Sequence, residues 1–167
     1  MSKPLTPASG FSYYINLLGD QEYTSLFLSR STFDSLETIS EQQSTHRYAV
    51  GKWSIKQIVG HMADHERIMI YRALRFSRKD TTPLPGYEQD PYVENGHFDN
   101  VLFTDLVQDF RNVRACTISF MNMLSDEQLE FGGTASNTPV TVEGVLKATI
   151  GHEIHHMQIL RERYGIK

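Results

Sequence analysis

Four long stretches of this chain repeat apolar residues at steps of three and four positions, and none of them contains a proline. Such spacing puts the apolar side chains on one face of an α-helix, the face that packs into a core. The first stretch predicts a helix over 20–37, preceded by a shorter one over 11–18. The apolar face of the long helix consists of Tyr23, Leu26, Phe27, Phe33 and Leu36.

The second stretch has the clearest start signal in the sequence. Ser54 can cap a helix and Gln57 can reach back to it, which is the capping-box pattern, while Trp53 and Ile58 can form a hydrophobic staple around the cap. We predict that this helix ends near Arg78. Its inward face consists of Ile55, Val59, Met62, Glu66, Met69, Ala73 and Phe76.

Two more helices follow from the same patterns. A third is predicted over 104–124, and Ser125 with Gln128 can cap a further short turn after it. A fourth is predicted to start near Thr141. The inward residues of the third helix are Leu106, Phe110, Val113, Ile118 and Met121, and those of the fourth are Val145, Thr149, His152, His156, Ile159 and Arg163.

The connections between these helices differ from them in composition. Residues 81–98 contain three prolines and two glycines, so we expect a long ordered loop between the second and third long helices. Residues 132–140 are predicted as another loop, because the apolar–polar alternation at 139–142 is too short for a strand. Four amphipathic helices without strands predict an all-α, four-helix bundle, and the long connection allows a crossover.

Length and charge narrow the class of protein further. A chain of 167 residues suits a single domain, 1–167, and 40% hydrophobic residues are typical of a globular protein. The net charge of −4, without a dense Lys/Arg block, argues against a nucleic-acid partner. No apolar run is long enough for a membrane span and the first ten residues lack the core of a signal peptide, so we expect a cytoplasmic protein. The single cysteine, Cys116, is expected to be a small core residue.

Five of the seven histidines lie in two short windows of the second and fourth predicted helices. Residues four apart on a helix are neighbours on one face, so His152 and His156 can direct their ring nitrogens at one ion. A third ligand from a facing helix would complete a site that leaves positions open for water or substrate. Spacing alone leaves both His61 and His65 as candidates for that ligand.

Residues 152–156 also match the H-E-x-x-H pattern of zinc proteases, in which the glutamate acts as general base. One class of these enzymes needs a glycine and a third histidine further on, but Ile159 and Glu162 occupy those positions. The sequence also offers no candidate for their active-site strand. We therefore do not expect a protease.

Widely separated motifs resemble the DinB/YfiT-like superfamily, the DNA-damage-inducible DinB proteins and their relatives. The motifs lie in and before the second long helix, at 48–67 and 71–76, in the following connection at 83–93, and in the last helix at 148–164. The motifs occur in the right order, and the match extends over nearly the whole chain, from about 11 to 164. The resemblance implies a four-helix bundle with up-down-down-up connectivity, often found as a homodimer.

The same resemblance implies a divalent metal ion held by three histidines, which here fall on His61, His152 and His156. His65 occupies a position that is variable in the family, and His155 is expected to turn away from the ion. Imidazole ligands make zinc or nickel the preferred ion, with iron, manganese or copper as alternatives.

Members of this family with known activity are mostly metal-dependent transferases that join a low-molecular-weight thiol to an electrophile. The resemblance therefore implies a thiol S-transferase that acts on a small molecule, with the thiol as co-substrate. An ion with an open position can also activate water, so a metal-dependent hydrolase is the alternative enzyme. A metal-binding stress protein without catalysis is the alternative outside enzymes.

Other residues are candidates for supporting roles. A histidine that binds metal usually donates its second ring N–H to a carboxylate or carbonyl, and the nearby carboxylates are Asp64, Glu66 and Glu153. The arginines that could attract an acidic thiol are Arg67, Arg72 and Arg75. The tyrosines of the long connection that could cover the site are Tyr87 and Tyr92.

Overall fold

The computed structural model describes residues 5–167 and contains, within them, nine α-helices and one β-hairpin. The helices are Phe11–Asn16 (α1), Tyr23–Leu28 (α2), Ser31–Glu37 (α3), Glu41–Ser44 (α4), Ile55–Ser77 (α5), Gln89–Gly96 (α6), Phe103–Met121 (α7), Asp126–Glu130 (α8) and Val142–Tyr164 (α9), and the strands are Gly132–Ala135 (β1) and Thr138–Thr141 (β2). Residues 1–4, which belong to the predicted domain and to the ten residues compared with a signal peptide, lie outside the described residues. No helix in the described range combines the length and the apolar character that crossing a membrane requires.

Two of the long helices begin where the sequence predicts. Ser54 precedes α5, where its hydroxyl accepts a hydrogen bond from the backbone N–H of Gln57 (3.1 Å) and its own N–H donates to the Gln57 side chain (3.0 Å). Thr141 precedes α9 and accepts a hydrogen bond from the N–H of Gly144 (3.0 Å). These bonds satisfy backbone donors that have no partner inside the first turn of a helix.

The prediction of one helix over 20–37 is wrong, because the structure divides this stretch into α2 and α3. Ser29, between the two, has an extended backbone. Its hydroxyl accepts a hydrogen bond from the N–H of Ser31 (3.2 Å), and local bonds of this kind compete with helix formation. Phe27 and Phe33 are buried on either side of the break, so apolar spacing does not reveal it.

The two predicted loops also contain regular structure. Helix α6 occupies the second half of the 81–98 connection, and the 132–140 segment forms the antiparallel pair β1–β2. Ser136 and Asn137 turn the hairpin with positive φ angles of 52° and 60°, the backbone form that suits the twist of a two-residue hairpin. The strands were too short to predict, since each has only four residues.

Backbone hydrogen bonds join the long connection to the hairpin. Leu84 donates from its N–H to the carbonyl of Thr134 (2.8 Å) and accepts from the N–H of Ser136 (3.0 Å). The hairpin itself lies so close to α5 that a Cβ atom at Gly133 would come within 2.3 Å of the Phe76 ring. These contacts fix the connection at one end of the bundle.

Two groups of buried apolar residues lie at opposite ends of the bundle and establish the direction of each helix. The end of α3, the starts of α5 and α7, and the end of α9 share one group, which includes Phe33, Leu36, Ile58, Phe103, Leu106 and Leu160. The start of α2, the ends of α5 and α7, and the start of α9 share the other, which includes Tyr23, Phe27, Phe76, Phe120, Val142 and Val145. Because α5 and α7 run in one direction and α2–α3 and α9 in the other, the connectivity is up-down-down-up, as predicted.

Cys116 lies on the exposed side of α7. The buried residues in this part of the helix are Val113, Arg114, Thr117 and Phe120, which follow helical spacing without including position 116. The prediction of a core cysteine is therefore wrong.

Candidate metal centre

Three histidines from two helices meet in the interior of the bundle. His61 belongs to α5, and His152 and His156 lie one turn apart on α9, with all three buried. Nε2 of His152 lies 3.0 Å from Nε2 of His61 and 3.1 Å from Nε2 of His156. Among residues 5–167, they form the one group of at least three His, Cys, Asp or Glu side chains whose donor atoms all lie within 4.8 Å of one another.

The geometry of these nitrogens fits a bound cation better than it fits hydrogen bonds between the rings. A ring nitrogen carries either one proton or one lone pair, so Nε2 of His152 cannot form full hydrogen bonds with both neighbours at once. Two nitrogens that bind one ion at about 2.0–2.1 Å lie about 3.0–3.4 Å apart. The observed separations from His152 lie in that range.

Burial keeps the three imidazoles in the neutral form. It lowers the pKa of His61 to about 4, and the nearby His155 adds to the shift. Burial also lowers the pKa of His152 and of His156 well below its ordinary value, with further contributions from neighbouring histidines. Neutral imidazole is the form of histidine that binds metal, so all three residues can offer a lone pair at neutral pH.

Aromatic rings pack around the cluster and limit the movement of the imidazoles. The ring centroid of Trp53 lies 4.9 Å from that of His61 and 6.3 Å from that of His156. Tyr14 packs edge-on against His152, with 5.2 Å between ring centroids. The sequence pattern predicts Trp53 only as a hydrophobic staple, and Tyr14 is not among the predicted site residues.

Tyr14 reaches the cluster because α1 lies directly on α9. A Cβ atom at Gly151 would come within 2.0 Å of the Tyr14 carbonyl oxygen, so only glycine allows this approach. The glycine next to His152 is the sequence signal that could have located the contact.

The other two histidines of the windows direct their rings elsewhere. His65 stacks on His152 with 3.6 Å between centroids, and its Nδ1 lies 2.8 Å from the Tyr87 hydroxyl. Nδ1 of His155 lies 3.1 Å from the Tyr13 hydroxyl, which turns this ring towards α1. Of the two candidates for the third nitrogen, the structure brings His61, and not His65, to the pair on α9.

A cavity of about 610 Å³ lies beside the cluster. Its wall includes His65 and His152, together with Tyr14, Arg72 and Tyr87. Sites for small molecules have volumes of about 300–1,000 Å³, so this cavity is of suitable size. A small molecule that occupied it would have direct access to one of the three clustered histidines.

A family model described as the DinB superfamily matches residues 28–160, a range that includes all three clustered histidines. This chain belongs to the DinB superfamily.

Two similar proteins agree with this assignment. A protein of Oceanobacillus iheyensis named "Putative metal-dependent hydrolase OB0413" is 21% identical over 126 residues, which cover 74% of this chain and 72% of the relative. YfiT from Bacillus subtilis, described as a probable metal-dependent hydrolase with an unusual four-helix bundle topology, has a TM-score of 0.69 and 16% identity, with coverage of 100% of this chain and 94% of YfiT. The structural likeness confirms the predicted bundle fold.

In this DinB-superfamily protein, the two buried glutamates predicted to orient the histidines bind an arginine instead. Arg114 of α7 donates to Glu66 from Nη2 (2.8 Å) and Nε (3.1 Å), and from Nη2 to Glu153. Thr32 donates to Glu153 as well (2.6 Å). Within the described residues, no hydrogen bond of either glutamate goes to a histidine.

Of the remaining charged candidates, Arg72 lines the cavity, whereas Asp64, Arg67 and Arg75 lie outside its lining. Asp64 pairs with Arg67 (3.3 Å), which is exposed on the surface of α5. Arg75 pairs with Asp80. Asp64, Arg67 and Arg75 therefore form ion pairs away from the cluster.

The tyrosines of the long connection occupy different positions. Tyr87 lines the cavity and contacts His65, and burial raises the pKa of its hydroxyl. Tyr92 lies outside the cavity lining, half exposed, with its ring centroid 5.0 Å from that of Tyr87. The structure thus brings Tyr87, but not Tyr92, to the cavity beside the cluster.

Proposed function

We propose that this protein is a metal-dependent enzyme whose ion is held by His61, His152 and His156. The observation that carries the proposal is the convergence of three buried imidazole nitrogens beside a cavity of small-molecule size. Three protein ligands leave coordination positions open for a reactant, as in catalytic zinc sites. Zinc or nickel is the preferred ion for an all-imidazole set, with iron, manganese or copper as alternatives.

The preferred reaction is transfer of a low-molecular-weight thiol to an electrophile. A divalent ion in this position lowers the pKa of a thiol that binds to it, which supplies the nucleophilic thiolate at neutral pH. The histidines bring no negative charge, and Arg114 binds both Glu66 and Glu153, so an anionic reactant meets little repulsion. Cys116 cannot serve as the nucleophile, because it is exposed and outside the cavity lining.

The cavity wall offers polar groups for binding and orienting the reactants. The Nε2 atom of His65 is buried and has no hydrogen-bond partner among the described residues. The Tyr87 hydroxyl contacts Nδ1 of the same ring, which fixes the orientation of His65. The His65 ring is therefore held in place against His152 on the cavity wall.

A metal-dependent hydrolase is the second candidate, because both similar proteins carry that description. In this case water, rather than a thiol, takes the open position. Glu153 holds the place of the general base in the H-E-x-x-H pattern, but Arg114 and Thr32 bind its carboxylate. The contacts of Glu153 thus argue against a mechanism of the zinc-protease type.

The first test is the metal content of untagged wild-type protein beside that of two histidine variants. We expect about one equivalent of divalent metal per wild-type chain. His156→Ala should lose the metal, whereas His155→Ala, at the ring that faces Tyr13, should retain it. A wild-type protein that holds no metal and takes up none on reconstitution would show that the proposal is wrong.

Turnover assays on the metal-loaded protein distinguish the reactions. Thiol-dependent consumption of monochlorobimane, absent in His156→Ala, would support the transferase. Thiol-independent hydrolysis of a panel of esters would support the hydrolase. Metal binding without turnover in either assay would instead indicate a metal-binding protein without catalysis.

A further inference from the structure

Within the described part of the chain, one buried cation has no anionic partner. Among residues 5–167, the buried Lys and Arg side chains are Lys56, Arg72 and Arg114. Lys56 pairs with one glutamate and Arg114 with two. Arg72 is only 5% exposed, yet it forms no ion pair with any described residue. Because a guanidinium keeps its charge when buried, the missing counter-charge calls for an explanation.

The hydrogen bonds of Arg72 all go to uncharged acceptors. Nη2 donates to the backbone carbonyl of Pro85 (2.8 Å) and to the hydroxyl of Ser136 (3.2 Å), and Nη1 lies 3.5 Å from the Met69 sulfur. These contacts hold the guanidinium between α5, the long connection and the hairpin turn without neutralising it. A guanidinium has five N–H donors, so donors remain for a further acceptor.

Arg72 lines the same cavity as His152. It follows His65 on α5 by seven residues, two helical turns, which puts both on one face about 10 Å apart along the axis. Glu88 also lines the cavity, but it is exposed and does not pair with Arg72. A molecule in the cavity can therefore contact the cluster at one end and Arg72 at the other.

We propose that Arg72 binds an anionic group, a carboxylate or a phosphate, of the molecule that reacts at the histidine cluster. This inference rests on the proposed function, because it names the substrate class of the same site. The ligand supplies the counter-charge that the protein lacks, whereas a neutral ligand of equal shape leaves Arg72 unpaired. The site thus selects small acidic molecules with several bonds between the anionic group and the reacting end.

The test is an NMR titration of zinc-incubated protein with succinate, inorganic phosphate and the neutral 1,4-butanediol. We expect saturable shifts of the Arg72 Nε–H signal and of the amides around the cavity with an anion, and none with butanediol. Whether succinate or phosphate binds identifies the anionic group, carboxylate or phosphate, that Arg72 recognises. Arg72→Lys, which keeps the charge but loses the planar fork, should weaken binding by about tenfold, and Arg72→Met should abolish it.

Arg75→Met is the matched control, because Arg75 lies one turn away on the same helix and pairs with Asp80 outside the cavity lining. This variant should bind the anion as wild type does. The proposal is wrong if neither anion gives a saturable shift at the cavity, or if Arg72→Met binds with unchanged affinity. If Arg72→Met does not fold, the shift of the Arg72 Nε–H signal in the wild-type protein decides whether the anion binds at Arg72.

A second measurement distinguishes failure of this inference from failure of the proposed function. Cobalt-loaded protein should bind glutathione at least about tenfold more tightly than glutathione diethyl ester, which lacks the free carboxylates. Equal affinity for the two thiols would show that the thiol binds at the site but that Arg72 does not recognise its carboxylates. If the protein binds an anion at Arg72 but takes up no metal, the anion site is supported and the proposed metal-dependent enzyme is wrong.

Discussion

Burial of the clustered imidazoles connects the stability of the metal-free protein to pH. The pKa of His61 is about 4 in the folded chain, whereas an unperturbed histidine has a pKa of about 6.5. Between these values the unfolded chain binds more protons, so the free energy of unfolding decreases as the pH falls. From His61 alone we expect a loss of about 2–3 kcal/mol between about pH 7 and about pH 4.5, measured by urea unfolding of metal-free protein.

Two variants test whether His61 causes this dependence. His61→Gln should remove its share of the pH effect. His46→Gln, at an exposed histidine, should leave the effect as in wild type. An identical pH dependence in the wild-type and His61→Gln proteins would contradict the prediction.

Sequence spacing predicts part of this cluster but not all of it. It places His152 and His156 on one helical face, yet it treats His61 and His65 alike, since both lie on a single face of α5. Ring orientation separates the latter two, and it depends on packing with residues distant in the chain. Tyr14, whose ring centroid lies 6.5 Å from that of His65, is such a residue, and it lies on a helix of six residues, too short to show a periodic pattern.

At the scale of the helices, one arginine connects α5 and α9, the two helices that carry the clustered histidines. Arg114 of α7 binds Glu66 of α5 and Glu153 of α9, and all three side chains are nearly inaccessible to solvent. Arg114→Met would leave two buried carboxylates without a counter-charge. We expect this change to lower the free energy of unfolding by about 3–5 kcal/mol, measured by urea denaturation at neutral pH.

The matched control lies one turn earlier on α7. Arg111 pairs with Glu37, and both side chains are partly exposed. Arg111→Met should therefore cost less than about 1 kcal/mol. If Arg114→Met and Arg111→Met lowered the free energy of unfolding by similar amounts, burial of the ion pair would not explain the effect of Arg114→Met.

Elements with strong local signals are the ones that the sequence predicts well. Capping residues and apolar spacing define the starts of α5 and α9, because the relevant contacts lie within one helical turn. The hairpin pairs with Leu84, far from it in sequence, so its stability depends on a contact that no local pattern records. The division between α2 and α3 depends on the Ser29 side chain, which interrupts the helix without changing the apolar pattern.

For the molecule as a whole, metal binding should raise the stability of the fold. An ion that binds only the folded chain adds about 4 kcal/mol when its concentration is about 1,000 times its dissociation constant. For a chain of this length, that corresponds to an increase of about 10 °C in the unfolding temperature. Calorimetry of zinc-loaded and chelator-treated wild-type protein should show this difference. An equal increase in His156→Ala would mean that the stabilising ion binds elsewhere.

The resemblance of the sequence to a known family predicts the bundle and its connectivity, and both are confirmed. The fold can be predicted in this way because it is shared with YfiT even at 16% sequence identity. The homodimer, the single domain and the cytoplasmic location stay predictions. They depend on surfaces and surroundings that the helix pattern does not describe.

His61 and His152 lie 91 positions apart, so an ion bound to both would close a loop of more than half the 167 residues. Closing a loop of this span in the unfolded chain would cost conformational entropy equivalent to about 4–5 kcal/mol, so the ion binds both histidines once folding has brought them together. Such a link can be opened by a chelator, whereas a disulfide of the same span needs a reductant. Because the loop closes only when α9 docks against α5, the rate of metal uptake during refolding would measure the rate at which α9 docks.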